Sequence, residues 1–394
     1  MSVPATSSPS VLTRPTLTVD LGAVVANARL FAARAEGQLM AVVKADGFGH
    51  GAEDVARAAL TGGAAWLGVT SIHEAVALRD AGLTAPVLSW LNPVDADVTA
   101  AAGRRIDLAV PSLEHLAAIT TATRRAGGRV RAHLHADVGM ARDGASASEW
   151  RQLCDRARDA ERSGLLRIVG VMGHLGCADD PGDPHNDEGF RAFTLAVETA
   201  TRAGLRPRVR HLAATAATLT DPRTHLDLCR VGAGLVGIDP SGTTRLRTAM
   251  TLAAPVVSVR DVPAGTAVGY GHTHVTAAST RLALLPIGYA DGIPRSSSGR
   301  GWIQLHGRRC PVVGRVSMDQ VVVDAGAARV RPGDVAVVFG PGHDGEPTLA
   351  EWAGWAQTIE HELVTGIGAR VARRVVGRRC DLRAPSAPRL TVLA

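Results

Sequence analysis

The sequence predicts an α/β protein in two parts: an N-terminal (β/α)8 TIM-like barrel over about residues 15–247, and a mostly β C-terminal domain over 248–394. Three observations carry that expectation. From Gln38 to Gly232, short runs rich in Val, Ile and Leu alternate with amphipathic stretches, the rhythm of repeated β–α units and a parallel sheet. Eight such runs occur, which suggests a closed barrel. After Met250 the runs follow one another without long helices, several of them separated by Gly/Pro turns.

Taken in order, residues 1–14 are rich in Ser, Thr and Pro and lack a long apolar core, so they read as a disordered tip rather than a signal peptide. Leu17–Leu21 precedes the barrel and is a candidate to pair with the β domain instead. The barrel strands are expected at Leu39–Lys44, Trp66–Thr70, Pro86–Trp90, Ile106–Val110, Val130–His135, Ile168–His174, Val209–Leu212 and Leu226–Val231. None alternates cleanly between apolar and polar, which suits strands buried on both faces. A helix is expected from Ser112 to Gly127, opening on Ser and closing on Gly-Gly, and another from Asp187 to Gly204. Asn92-Pro93 leaves little helix after the third strand. In the β domain, strands are expected at Pro255–Val259, Leu282–Ile287, Trp302–Leu305, Val312–Val316, Val321–Val323 and Val335–Phe339, with a last helix over Thr348–Gln357.

The hydrophobic fraction is 46% and the charged fraction 20%, too apolar for a disordered chain. No run approaches the length of a membrane span. Net charge is +6, but arginines and acids are interspersed, as in Arg151–Arg162, and the basic stretch Arg370–Arg379 has no aromatic residue to stack on a base. Nucleic acid and membrane are therefore not expected partners. The five cysteines are widely spaced with no Cys-x-x-Cys pair, which fits a reducing, cytoplasmic setting.

Lys44 is the only lysine among 43 basic residues, and tyrosine occurs only at Tyr270 and Tyr289. Coding bias toward Arg explains the scarcity. Under such bias a surviving lysine marks a place where Arg fails chemically. Arg replaces Lys as a solvated cation but stays protonated, so it cannot serve as a Schiff-base amine. Lys44 ends the first barrel strand, and barrel strand ends on that side are where catalytic groups sit. The glycines of Gly47-Phe48-Gly49-His50-Gly51 allow a tight turn into the next helix.

The segment Lys44-Ala45-Asp46-Gly47-Phe48-Gly49-His50-Gly51 resembles the pyridoxal-phosphate lysine motif of alanine racemases. Further segments resemble that family in its order: Gly170–Leu175, His211–Thr218, Cys229-Arg230-Val231-Gly232, Val268–Thr273, Pro286–Gly292 and Val313–Gln320. The resemblance covers about Thr16 to Gly377. It implies a pyridoxal 5'-phosphate-dependent isomerase that acts on a small amino acid, alanine first, by a two-base mechanism, and that works as a homodimer with active sites at the subunit interface. By the same resemblance, Lys44 binds the cofactor covalently and is one acid/base, and Tyr270 is the base on the opposite face. His174, Thr215, Arg230, Gly232, Ala233, Arg142 and His361 are the implied cofactor neighbours. Arg142, Met318, Tyr289 and Asp319 are the implied substrate neighbours. No metal is implied.

The match departs from the family's pattern at the site. Phe48 and His361 stand where phosphate-binding tyrosines are usual. Ala214 stands where Asn is common. His135 stands where many members carry a carbamylated lysine that orients the arginine, and imidazole offers hydrogen bonds but no anionic charge. Two other readings follow from these departures: a relative acting on another amino acid, or a non-catalytic cofactor-binding protein.

Overall fold

The computed structural model describes residues 12–377. Most of the expected disordered tip, residues 1–11, lies outside them, as does Cys380. The chain divides into two units: Leu21–Arg247, and the described residues up to Asp20 together with Thr248–Gly377.

The first strand, β1 (Thr16–Asp20), belongs to the second unit. The Leu21–Arg247 unit holds eight parallel strands: β2 (Gln38–Val42), β3 (Trp66–Val69), β4 (Val87–Ser89), β5 (Ile106–Val110), β6 (Val130–His135), β7 (Leu166–Met172), β8 (Val209–His211) and β9 (Leu228–Val231). Their order is β8-β7-β6-β5-β4-β3-β2-β9. The two ends of that order meet through Asp227 N–H to Arg210 O (3.1 Å) and Arg230 N–H to Ala213 O (3.0 Å), so the barrel all but closes. All eight expected strands are present. Leu39, Met40, Leu67, Leu88, Ile106, Leu108 and Leu134 are fully buried, as strands covered on both faces require.

The helix Leu113–Ala126 is capped by the Ser112 hydroxyl, which accepts from His115 N–H, and stops at Gly127. The expected start at Asp187 is corrected. That helix runs His185–Arg202, with Pro184 at its N-cap, so Asp187 sits in the first turn, where a carboxylate favours the helix dipole. Only six helical residues, Val98–Gly103, follow β4.

The other unit adds β10 (Met250–Pro255), β11 (Ser258–Val262), β12 (Ala267–Val268), β13 (His274–Val275), β14 (Thr280–Leu285), β15 (Trp302–Leu305), β16 (Arg308–Pro311), β17 (Val321–Gly326), β18 (Val335–Phe339) and β19 (Ala372–Val376). They form a six-stranded sheet, β16-β15-β18-β10-β1-β19, a three-stranded sheet, β11-β14-β17, and the hairpin β12–β13. Two expected strands are corrected. Pro255–Val259 is no single strand: Val256 N–H bonds Asp334 O and Val257 N–H bonds Leu284 O, so successive residues hand the chain from one sheet to the other. Val312–Val316 is mostly irregular, because the positive φ of His306 and Gly307 makes a two-residue hairpin that places the paired strand at Arg308–Pro311. The helix Leu349–Ala356 starts on a Thr348–Glu351 capping box. The helix Glu360–Thr365 and strand β19 were not expected. Among the described residues no helix is long and apolar enough to cross a membrane.

Candidate active site

Strand β2 stops at Val42, two residues before Lys44, which corrects the expected strand end. Val43 N–H still bonds Gly68 O (2.9 Å), and the chain then makes one left-handed turn, with φ of 51° at Ala45, 53° at Asp46, 62° at Gly47 and 57° at Phe48. Three of these residues are not glycine, and the left-handed form costs each about 1–2 kcal/mol. The turn is held from outside. Glu74 Oε1 accepts from Ala45 N–H (2.8 Å), while its Oε2 accepts from Thr70 N–H (2.9 Å), Thr70 Oγ1 (2.6 Å) and Ser71 N–H (3.1 Å). Partial burial would raise the Glu74 carboxyl, but these donors outweigh it and hold the group below its ordinary value. Glu74→Gln turns one acceptor oxygen into a donor facing other donors. It is expected to cost about 1–3 kcal/mol of stability, read as a lower urea midpoint at unchanged slope. An unchanged midpoint would mean that the turn stands without Glu74.

Burial lowers the Lys44 amine below its ordinary value, and the Arg142 charge lowers it further against the opposing pull of Glu74. Arg142 is exposed on the loop after β6. There Asp137 Oδ1 gathers the N–H groups of Gly139 (3.0 Å), Met140 (3.0 Å) and Ala141 (3.2 Å). At the end of β6, His135 Nδ1 lies 3.4 Å from Asp143 Oδ2. The anionic charge that His135 itself lacks is thus supplied by the residue next to Arg142.

Arg230, on β9, is buried, and among the described residues its guanidinium pairs with no carboxylate. Its Nη1 donates to His211 O (2.8 Å) and His211 Nδ1 (3.2 Å). Its Nη2 donates to Gly173 O (2.7 Å), His174 Nδ1 (3.1 Å) and Leu212 O (3.1 Å). The Nε–H is the one nitrogen donor not spent on these partners. Burial lowers the guanidinium to about 10, which still leaves it charged at neutral pH. His174 is lowered to about 3, by burial first and then by the charges of Arg230, Arg142 and Lys44. His211 is driven well below its ordinary value by full burial and by His133 and Arg230.

Both histidines are neutral when folded and become protonated in the unfolded chain below about pH 6.5. Their contribution to stability is complete above that pH and is lost as pH falls. Each is expected to add a slope of about 1.4 kcal/mol per pH unit between roughly pH 6 and 4.5. Urea midpoints measured across that window check the expectation, and a flat profile would contradict it.

A cradle of polar groups lies between the helix Thr215–Thr220 and the 3-10 turn Ala233–Val236. Gly232 N–H (3.4 Å) and Gly234 N–H (3.3 Å) both donate to Thr215 Oγ1, which gathers a hydroxyl and two backbone donors at one place. A Cβ on Gly232 would come within 2.7 Å of the Phe48 ring, which explains glycine there. Phe48 thus packs on the cradle without offering a hydroxyl. Ala233 is buried within the same turn.

The remaining expected residues are in the other unit. Tyr270 opens a short 3-10 turn between β12 and β13 and is 71% exposed. Tyr289 and Met318 are also exposed, and Tyr289 N–H to Ser317 O (3.0 Å) with Ala290 N–H to Met318 O (3.0 Å) ties their two loops together. Asp319 pairs with Arg370, whose other partner is the buried Asp291. His361 lies partly buried in the helix Glu360–Thr365. The structure thus groups Lys44, Arg142, His174, Thr215, Arg230, Gly232 and Ala233 in the barrel unit, and Tyr270, Tyr289, Met318, Asp319 and His361 in the β unit. Glu74, Asp143, His211 and Gly234 were missed. His211 had a signal, since it opens one of the matching segments.

Family models for the alanine racemase N-terminal domain and the alanine racemase C-terminal domain match residues 19–240 and 249–375. An alanine racemase of Salinispora tropica is 47% identical over 368 residues, covering 92% of this chain and 98% of its own. The crystal structure of an alanine racemase from Streptomyces lavendulae superposes with a TM-score of 0.91 at 43% identity, over 93% of this chain and 98% of its own. That of Bartonella henselae, with covalently bound pyridoxal phosphate, gives a TM-score of 0.82 at 27% identity, over 93% of this chain and 100% of its own.

Proposed function

The chain belongs to the alanine racemase family, and from that premise we infer that it is an isomerase interconverting L-alanine and D-alanine with Lys44 and Tyr270 as the two acid/base groups. The observation that carries the assignment of Lys44 is its amine, the only one on a side chain of this sequence, partly buried, lowered by its surroundings and fixed on a clamped turn.

The barrel residues fit pyridoxal 5'-phosphate by donor chemistry. Thr215, Gly232, Ala233 and Gly234 would hold a phosphate, the unspent Nε–H of Arg230 would meet a ring nitrogen, and Lys44 would bond the aldehyde. When bound, the cofactor supplies an electron sink that acidifies the substrate Cα–H. An arginine facing the ring nitrogen gives no proton to it, which tempers that sink and favours returning the proton to Cα. The Arg142 cation, next in sequence to Asp143 and close enough for its charge to act on Lys44, would meet the substrate carboxylate. Lys44 Nζ takes or returns the Cα proton on one face, and the Tyr270 phenol does so on the other. His174, neutral, turns Nδ1 to Arg230, so its Nε2–H is free to donate toward a phenolate.

We assign the homodimer on the exposure of Tyr270. A phenol that must work beside a desolvated Cα is 71% exposed in the single chain, as are parts of the Tyr289–Met318 loops, and a second copy would cover them. Met318, Tyr289 and Asp319 would then line the substrate side, and His361 would substitute for one missing phosphate contact. Borohydride reduction of the cofactor-loaded protein, followed by peptide mapping, tests the assignment. The label belongs on Lys44, and a label that washes away or maps elsewhere overturns it.

A further inference from the structure

The interior of the barrel holds polar groups that no step above uses. Asp107 on β5, His133 on β6 and His211 on β8 are each at most 1% exposed. They form a continuous line. Arg131 grips Asp107 with Nε on Oδ1 (2.7 Å) and Nη2 on Oδ2 (3.0 Å). Asp107 Oδ2 is 3.3 Å from His133 Nε2, His133 Nδ1 is 2.9 Å from His211 Nε2, and His211 Nδ1 is 3.2 Å from Arg230 Nη1. The space is built for it. A Cβ on Gly170 would lie 2.5 Å from His133 Nδ1, and Trp66 packs edge-on against the His133 ring at 5.7 Å.

Only one proton arrangement satisfies every contact. Arginine has donors and no acceptor, so His211 Nδ1 must be the lone pair. A neutral His211 then carries its proton on Nε2, which makes His133 Nδ1 an acceptor. His133 in turn carries its proton on Nε2 and gives it to Asp107, whose carboxylate Arg131 holds from the other side. If His133 were doubly protonated, its Nδ1–H would force the proton of His211 onto Nδ1, facing the donors of Arg230. Both ends of the line therefore enforce the same tautomers.

We propose that Asp107 and His133 are positioning residues for Arg230: a buried carboxylate–imidazole–imidazole relay locks His211 as the Nε2–H tautomer and so fixes which way the guanidinium presents its unspent Nε–H. The proposal rests on the reading that Arg230 faces the cofactor. The precedent in physical terms is the carboxylate that holds a catalytic histidine in one tautomer, where exchanging Asp for Asn keeps the shape and loses the proton arrangement. An Asn at 107 that accepts from Arg131 turns its amide N–H toward His133 Nε2, which reverses the line.

The test uses the full-length, cofactor-loaded enzyme with 15N-labelled histidine. In the wild type, His133 and His211 should both show a protonated Nε2 and an unprotonated Nδ1. In Asp107→Asn the His211 nitrogens should shift toward the other tautomer, and kcat for alanine should fall about 10–100-fold with KM within about threefold. Asp107→Glu should restore part of both readouts. A wild-type His211 protonated at Nδ1 overturns the proposal even if Asp107→Asn fails to fold. So does an Asp107→Asn enzyme with unchanged His211 shifts. The underlying reading is checked apart from it: Arg230→Gln should alter the absorption spectrum of the bound cofactor. An unaltered spectrum removes Arg230 from the cofactor, whatever tautomer His211 shows.

Discussion

Lys44→Arg is expected to lower kcat/KM for L-alanine by at least about 10^4-fold, since it removes both the amine that anchors the cofactor and one of two acid/base groups. The substitution keeps the positive charge beside Glu74 and Arg142, so a purely electrostatic role would survive it. The loss follows from proton chemistry instead. A guanidinium does not release a proton near neutral pH, whereas the surroundings of Lys44 make its amine easier to deprotonate. Borohydride should no longer fix the cofactor to this variant. Lys44→Met adds a contrasting readout. Burial and Arg142 both disfavour the charged amine, so removing it should leave the unloaded protein at least as stable in urea. Activity above about 1% of wild type in Lys44→Arg would end the assignment.

Tyr270→Phe is expected to slow racemisation by about 10^2–10^4-fold while leaving stability within about 0.5 kcal/mol, because the phenol is exposed and its hydroxyl supports no packing within its unit. The informative readout is isotopic. In D2O the wild type exchanges the Cα hydrogen of both enantiomers and inverts both. With Lys44 alone, one enantiomer should still exchange its Cα hydrogen with retention, so exchange outlasts inversion. If inversion and exchange stay at wild-type rates, the second base is another group.

Lys44 was legible from scarcity alone, because an arginine-rich chain has little use for one lysine unless its amine is needed. The left-handed turn behind it was not. Glycines at 47, 49 and 51 signalled a turn, but the positive φ of Ala45, Asp46 and Phe48 is supported by contacts from outside it, among them Glu74, 29 residues on, which accepts the Ala45 N–H. Likewise His135 read as a corner without an anion, and the anion came from Asp143 through the fold of a loop.

Strand prediction shows the same division. The barrel strands were all located, with ends off by at most about two residues, because burial on both faces writes itself as a continuous apolar run. In the β unit, the hairpin turn at His306-Gly307 and the handover at Val256-Val257 set the boundaries, and apolar runs overshoot both.

By itself the sequence determined the barrel, the family and the amine, since each is recorded in local pattern or in residue identity. Only the tertiary structure decided the line from Arg131 through Asp107, His133 and His211 to Arg230. Its members come from four different strands, and the register between them sets which nitrogen faces which. Proton positions follow from that register, because a donor-only guanidinium at one end and a carboxylate at the other leave each imidazole a single choice.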